Sequence, residues 1–209
     1  MKSVITQNVL DNAMSYEEYK DLVQNLINNN DTTGNSKSEA NIYFTKLNAE
    51  RTKRIEKTTI IDEEFKAEVE KISHPVVFFV IAESWCGDVA QNLPVIYKIA
   101  ELNPFIKLKI ILRDENENIM NEFLTNGAKS IPVCILLDGE TFEVLGKWGP
   151  RPGTAMSLMR EYKNNPDISH AEANKNIQLW YAKDHTKNIQ SEFLEMISNI
   201  NMRNVTPVS

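Results

Sequence analysis

Apolar residues in the first third of the chain recur at the spacing of amphipathic helices. Between residues 16 and 27 they fall three and four positions apart, and Ser15 stands just before them as a suitable N-cap. A second helix is predicted to begin near Ser38 and a third after Asp62. These helices carry no recognisable chemistry, so the pattern predicts that they pack against the rest of the protein.

The pattern changes to strands at Pro75. The run over 75–82 is continuously apolar and rich in β-branched and aromatic residues, which predicts a strand buried on both faces of a sheet. The elements predicted next are a helix over 93–102, a strand over 106–112, a short helix over 118–124, strands over 132–137 and 142–148, a helix over 153–163, and one long or two shorter helices over 169–200. Helix-joined strands and a closing hairpin predict an α/β fold with a central mixed sheet flanked by helices.

The composition argues against several classes of function. The chain has 209 residues, a net charge of −6, two cysteines and three histidines. It shows no basic stretch, signal-like apolar segment or membrane-length apolar run, so we expect no nucleic-acid or membrane partner and a cytoplasmic location. The histidines lie far apart without metal-ligand spacing to a cysteine, and no glycine-rich phosphate loop occurs, so we expect no metal and no cofactor.

One of the two cysteines stands where a thiol can be chemically active. Cys86 follows the buried strand in the motif Trp85-Cys86-Gly87-Asp88-Val89 and precedes a predicted helix. The free N–H groups and the dipole at a helix N-terminus favour an anion, and the thiolate is the nucleophilic form of cysteine. The position therefore predicts a reactive thiol with a pKa below its usual value of about 8.5.

The motif and its surroundings resemble the thioredoxin family. Trp85-Cys86-Gly87 matches the start of the family's Trp-Cys-Gly-Pro-Cys signature, and Pro94 matches the proline inside its active-site helix. Ser130-Ile131-Pro132 stands where the family has its cis-proline loop, and Gly149 matches a glycine in a second loop that faces the active site. The Trp-Cys-Gly-Asp motif and the helical extension resemble an uncharacterised bacterial subgroup of the family.

The resemblance covers about residues 71–163 and implies a thioredoxin-like fold with additional N- and C-terminal helices. It divides the chain into a helical N-terminal extension over 1–70, a thioredoxin-like domain over 71–165, and a C-terminal helical segment over 166–209 that packs on the rest. A homodimer contact through this last segment is an open alternative.

The departures from the family bear directly on mechanism. Val89 stands where the family has its second, resolving cysteine, and Val80 stands where it has a buried acid that assists that thiol. A dithiol pair resolves its own mixed disulfide, and Val89 cannot do so. Asp88 replaces the family's proline, and its charge would oppose a Cys86 thiolate. Arg151, on the neighbouring loop, is expected either to offset that charge or to bind an anionic thiol substrate.

The resemblance also implies roles for residues distant from the motif. Pro132 is expected to be cis, and Ile131, Pro132, Gly149 and Arg151 are expected to contact the substrate. Cys134 lies two residues beyond Pro132 in a predicted strand, so it points the same way. Both a packing role in the core and a resolving role toward Cys86 remain open for Cys134.

Two functions follow from these observations. The first is a monothiol thiol–disulfide oxidoreductase, in which Cys86 attacks a protein or low-molecular-weight disulfide and an external thiol releases the product. The second is a non-enzymatic binding or docking module built on the thioredoxin fold. The missing second thiol and the long helical extensions favour the second function, and the motif itself favours the first.

Overall fold

The computed structural model describes residues 4–205, with side chains described as far as residue 202. Within this range the chain forms nine helices and four strands. In chain order they are α1 (Gln7–Asn12), α2 (Tyr16–Asn28), α3 (Glu39–Thr58), α4 (Glu63–Val69), β1 (Val76–Ala82), α5 (Gly87–Ala100), β2 (Ile106–Leu112), α6 (Glu117–Met120), β3 (Val133–Asp138), β4 (Val144–Trp148), α7 (Gly153–Asn164), α8 (His170–Asp184) and α9 (Lys187–Val205).

The four strands form one mixed sheet in the order β2-β1-β3-β4. β1 pairs in parallel with β2 and antiparallel with β3, and β3 pairs antiparallel with β4. Every residue of β1 is buried, as a strand at the centre of a covered sheet must be. At the outer edge of β2, Met14 exchanges two backbone hydrogen bonds of 2.8 Å with Ile110. The predicted α/β architecture with a central mixed sheet is confirmed.

Local side-chain chemistry explains where the first helices begin. The Ser15 hydroxyl accepts a hydrogen bond of 3.2 Å from the Glu18 N–H, and the Glu18 carboxylate accepts one of 2.7 Å from the Ser15 N–H. Ser38 caps α3 in a similar way through its hydroxyl. Asp62 occupies the predicted cap position of α4, but its side chain makes no capping hydrogen bond. The predicted starts of all three helices are confirmed.

The helix after β1 is longer than its apolar pattern predicts. It begins at Gly87 rather than at residue 93, because the polar side chains of Gln91 and Asn92 are buried inside the protein. Each of these amides donates a hydrogen bond to a partner elsewhere in the chain. Buried polar residues interrupt the apolar spacing that predicts a helix, so the first turns of α5 do not follow that pattern.

The structure also settles several other elements that the pattern left different or open. β4 begins at Val144 rather than at 142, because the Asp138 side chain accepts hydrogen bonds from two backbone N–H groups of the preceding turn. α6 ends at Met120 rather than at 124, and the six-residue helix α1 carries too short a pattern to predict. The last segment forms two helices, because His185 and Thr186 adopt φ angles of 51° and 64° and turn the chain between α8 and α9.

The main apolar core includes residues from both terminal segments as well as from the sheet. Phe193 of α9 is fully buried and packs edge-on against Phe78 of β1, with ring centroids 5.8 Å apart. The same ring lies 5.5 Å from Trp148 of β4. On the other side, Tyr16 of α2 stacks on Tyr97 of α5 at 4.0 Å. The terminal helices therefore supply part of the core that holds the sheet.

Helices α7 and α8 form a smaller apolar cluster that is separate from this core. The buried members of this cluster are Ala155, Met159, Ala173, Ile177 and Tyr181. The two helices pack mainly on each other, at the end of the molecule where α5 begins. None of the helices described over 4–205 has the length and apolar character to cross a membrane.

Replacing Phe193 by alanine tests the part of α9 in the core. We expect the Phe193→Ala variant to lose about 3–5 kcal/mol of unfolding free energy, because a fully buried ring leaves a cavity. Chemical denaturation measures the change. The matched control is Phe44→Ala, whose ring is 42% exposed and whose loss should stay within about 0.5 kcal/mol. Equal losses in the two variants would contradict the packing of α9 described above.

Candidate active site around Cys86

Cys86 lies at the point where the buried strand gives way to a helix. β1 ends at Ala82, and Cys86 occupies the N-cap position of α5, as the motif predicts. Its Sγ atom donates a hydrogen bond of 3.4 Å to the backbone oxygen of Ile131. The Ile131–Pro132 peptide bond is cis, which confirms the expectation for Pro132. The thiol therefore faces the loop that precedes β3.

Gly149 completes this side of the site. Its φ angle is +114°, and a Cβ atom at this position would lie 2.2 Å from the backbone oxygen of Pro132. Only glycine fits such a close approach between two backbones. Four of the predicted site residues, Cys86, Ile131, Pro132 and Gly149, are thus brought together by the ends of β1, β3 and β4.

The environment of the Cys86 thiol reverses the expected direction of its pKa. The side chain is 9% exposed, and the pKa of the thiol is raised to about 12. Burial is the largest cause, and the nearby Asp88 carboxylate acts in the same direction. The backbone N–H groups at the start of α5 and the Arg151 guanidinium lower it, but they do not outweigh burial. The expectation of a lowered pKa is therefore wrong for this conformation. Removal from water destabilises the thiolate more than the helix N-terminus stabilises it.

Asp88 is held by charged and polar partners rather than by solvent. Both the Nε and Nη2 atoms of Arg151 contact its Oδ2 atom, at 2.8 and 2.7 Å. The hydroxyl of Tyr181 on α8 donates to Oδ1 at 3.0 Å. Of the two expectations for Arg151, the ion pair with Asp88 is present in the structure. This geometry commits both guanidinium contacts to one buried carboxylate, so any substrate contact must share Arg151 with Asp88.

Helices outside the motif also cover it, and their residues were not predicted. A Cβ atom at Gly87 would lie 3.0 Å from Nε2 of Gln178 on α8 and 3.4 Å from Nη1 of Arg51 on α3. The Asn48 amide of α3 donates to the backbone oxygen of Ser84 at 3.0 Å and receives Nη1 of Arg51 at 2.8 Å. No spacing rule links these side chains to Cys86 in the sequence. The only signal is that polar residues interrupt otherwise apolar helix faces.

The chain before Cys86 is fixed by hydroxyl groups. The Ser84 hydroxyl lies 2.9 Å from that of Thr45 on α3 and 3.1 Å from that of Thr33. The preceding residue, Glu83, is fully buried, and burial raises the pKa of its carboxyl group. The Arg113 guanidinium lies 4.9 Å from the centre of the Trp85 ring. These contacts connect the loop between β1 and α5 to α3 and to the residues around Thr33 and Arg113.

Comparison with known proteins now decides the family. A model of the thioredoxin family matches residues 34–163. The chain belongs to the thioredoxin family. The match begins inside the loop before α3, so it reaches further toward the N-terminus than the resemblance in the sequence. No curated protein matches the chain.

Two solved structures share the fold of this thioredoxin-family chain. A 1.5 Å crystal structure of a protein of unknown function from Pseudomonas aeruginosa is 20% identical, with a TM-score of 0.56, and the match covers 90% of this chain and 99% of that one. The crystal structure of an HIV epitope-scaffold is 20% identical, with a TM-score of 0.55, and covers 88% of this chain and 98% of that one. At this identity the likeness shows the fold alone. The two structures match a larger part of the chain than the family model does, so their likeness extends into the flanking helices.

Two of the three positions where this chain departs from the thioredoxin family, Val89 and Val80, are apolar and buried. Val89 is 3% exposed and lines a cavity of about 240 Å³ between α2, α3 and α5. Val80 is fully buried in β1, where it pairs with Ile110 and Cys134. Neither valine side chain can accept a proton from Cys86 or form a disulfide with it.

Cys134 is fully buried in β3 between Val80 and Trp148. Burial alone raises the pKa of its thiol well above the usual value. Both cysteines are free thiols in the structure. The position supports the packing role for Cys134, and its resolving role stays a prediction. Among the described residues, no group of three or more histidine, cysteine, aspartate or glutamate side chains could hold a metal ion.

The close approach at Gly149 gives a test of the loop geometry. We expect Gly149→Ala to lose about 3 kcal/mol of unfolding free energy, because a Cβ atom would meet the Pro132 oxygen and the φ angle is positive. Gly127 is the matched control, because its φ angle is +76° and a Cβ atom there meets nothing within 4 Å. The control should lose only about 1 kcal/mol. Similar losses measured by denaturation would show that the two loops do not touch.

The protonation state of Cys86 gives a second test. We expect Cys86 to remain a neutral thiol at neutral pH and to ionise well above about 8.5, because burial raises its pKa to about 12. The measurement is the ultraviolet absorbance of the thiolate in a Cys134→Ala variant, with the double variant Cys86→Ser/Cys134→Ala subtracted to remove the tyrosine signal. Ionisation of Cys86 below pH 8.5 would contradict the buried environment of the thiol. Asp88→Asn should shift the ionisation to lower pH.

Proposed function

We propose that this protein is a monothiol member of the thioredoxin family that exchanges disulfides through Cys86. The single observation that carries the proposal is the contact between the Cys86 thiol and Ile131, next to the cis Pro132. A thiol at a helix N-terminus opposite the backbone edge of Ile131 and Pro132 is suited to attack an extended disulfide substrate in line. Gly149 leaves this edge free of side-chain bulk.

The reaction requires two steps and an external thiol. The Cys86 thiol loses its proton to water, and the thiolate attacks one sulfur of a substrate disulfide. A new bond forms between Sγ and that sulfur, the substrate's S–S bond breaks, and the second substrate sulfur leaves as a thiolate that takes up a proton. A low-molecular-weight or protein thiol then attacks the mixed disulfide, forms a new disulfide with the substrate sulfur and releases Cys86 as a thiol.

The residues around Cys86 explain why the second step needs an external thiol. Val89 cannot attack the mixed disulfide, and Cys134 is fully buried within the sheet. We therefore propose that the second thiol comes from solution or from another protein. A reducing compartment such as the cytoplasm supplies such thiols and keeps cysteines reduced. Protein or low-molecular-weight disulfides are the proposed partners.

A docking module is the second candidate. The observation that favours it is the 9% exposure of Cys86 together with its raised pKa, since a buried neutral thiol is a poor nucleophile. In that function the thioredoxin fold would serve as a binding platform, and the flanking helices would form the interface. The two candidates differ in whether Cys86 forms a mixed disulfide.

Trapping the mixed disulfide tests the proposal. We expect the reduced protein to form one mixed disulfide at Cys86 when it is incubated with glutathione disulfide, because no neighbouring thiol resolves the adduct. Intact-mass and peptide-mapping mass spectrometry locate the adduct, and an excess of external thiol should reverse it. A coupled assay should show reduction of a model disulfide about tenfold faster than with the Cys86→Ser variant.

Cys134→Ala is the control for this experiment, and it should retain the adduct and most of the rate. If Cys86→Ser reduces the model disulfide as fast as the unaltered protein, the exchange function is wrong. A folded protein that forms no adduct at all would favour the docking module.

A further inference from the structure

The helices that cover the active-site motif on its C-terminal side are built as a unit of their own. The apolar faces of α7 and α8 meet each other, and their buried residues form a cluster separate from the main core. This unit therefore keeps most of its buried apolar surface whether or not α8 touches α5. Movement of the pair away from α5 would expose far less apolar surface than movement of α9, whose Phe193 lies in the main core.

The contacts between α8 and the start of α5 are polar. The Gln91 amide donates to the side-chain oxygen of Gln178 at 2.8 Å, and the Tyr181 hydroxyl donates to Asp88 at 3.0 Å. The Asn92 amide donates to the Tyr181 hydroxyl at 2.9 Å. Water replaces such hydrogen bonds at a small net cost, because both partners stay hydrogen-bonded after separation. We call Gln178 and Tyr181 the α8 latch.

The closed arrangement leaves two polar atoms unsatisfied at this same contact. The side-chain oxygens of Gln91 and Asn92 are buried and accept no hydrogen bond from the described residues. A buried acceptor without a partner is unfavourable, and water would reach both oxygens if α8 moved away. The two unsatisfied oxygens therefore make the closed contact less favourable, and opening would remove this cost. The other partner of Asp88 is Arg151, on the loop before α7.

The position of the latch connects this movement to the thiol. Gln178 lies against Gly87, the residue after Cys86, and Tyr181 binds Asp88, the next residue along. We propose that α7 and α8 form a gate over the first turn of α5, that the α8 latch holds it closed, and that Cys86 reacts only when the gate opens. This regulation rests on the exchange function proposed above. It resolves the conflict between a buried thiol and a reactive motif.

Alkylation with iodoacetamide tests the gate without any disulfide substrate. Mass spectrometry after peptide mapping follows Cys86 and Cys134 separately in each sample. Because Cys134 is fully buried in the sheet, its alkylation reports global unfolding. We expect Cys86 to react much faster than Cys134 in the unaltered protein. We expect Tyr181→Phe to raise the Cys86 rate about tenfold, the factor that corresponds to one hydrogen bond to a charged group, and to leave the Cys134 rate unchanged.

Tyr162→Phe is the matched control, because it also removes a tyrosine hydroxyl. Tyr162 lies on the neighbouring helix α7 and packs against the same smaller apolar cluster. Its Cys86 rate should equal that of the unaltered protein. Gln178→Ala is the second latch variant and should also raise the Cys86 rate, which keeps the test available if Tyr181→Phe does not fold.

Two results would overturn the gate: equal Cys86 rates in the latch and control variants, or equal rates for Cys86 and Cys134 in the unaltered protein. A tenfold increase in the latch variants without any mixed-disulfide formation would support the gate and contradict the exchange function. Mixed-disulfide formation with no effect of the latch variants would contradict the gate alone.

Discussion

The carboxylate of Asp88 is almost fully buried at the first turn of α5, and a buried charge must be paired. Its two oxygens are shared between the Arg151 guanidinium and the Tyr181 hydroxyl. One side chain thereby contacts both the loop that carries Gly149 and the helix that lies over the motif. Removal of either partner from a buried ion pair costs about 3–5 kcal/mol, so this carboxylate strongly constrains the loop that carries Arg151.

The same arrangement sets the chemistry of the thiol. Asp88 favours the neutral thiol of Cys86, while Arg151 and the N–H groups at the start of α5 favour the thiolate. Burial exceeds all of these contributions, so the closed protein holds its thiol in the unreactive form. The reactivity of Cys86 then depends on whether water reaches the thiol, and less on the charges fixed around it. A chain without a resolving cysteine benefits from this dependence, because an exposed thiolate is open to oxidation to the sulfenic acid and beyond.

The terminal segments complete the thioredoxin fold in two different ways. α9 places Phe193 in the main core, and the segment before α2 pairs Met14 with the edge of β2. These contacts bury apolar surface and cover a strand edge, which stabilises the sheet. The contacts that α8 makes with the start of α5 through Gln178 and Tyr181 are polar. The difference in chemistry separates a structural role for α9 from a covering role for α8.

Much of the architecture could be predicted from the sequence. The apolar run over 75–82, the strand spacing and the caps at Ser15 and Ser38 depend on neighbours in the chain, so they identified β1, the sheet and the starts of the first helices. Trp85-Cys86-Gly87, Pro132 and Gly149 identified the family and the thiol because their spacing along the chain is fixed by that fold.

The burial of Cys86, the α8 latch and the direction of the thiol pKa could be found only in the tertiary structure. Gln178 and Tyr181 lie some ninety residues beyond Cys86, and no periodicity or motif connects them to it. Desolvation depends on what the rest of the chain places over a group, and that is a property of packing rather than of local sequence. The sequence by itself therefore determined which thiol matters, and the tertiary structure decided that this thiol is covered.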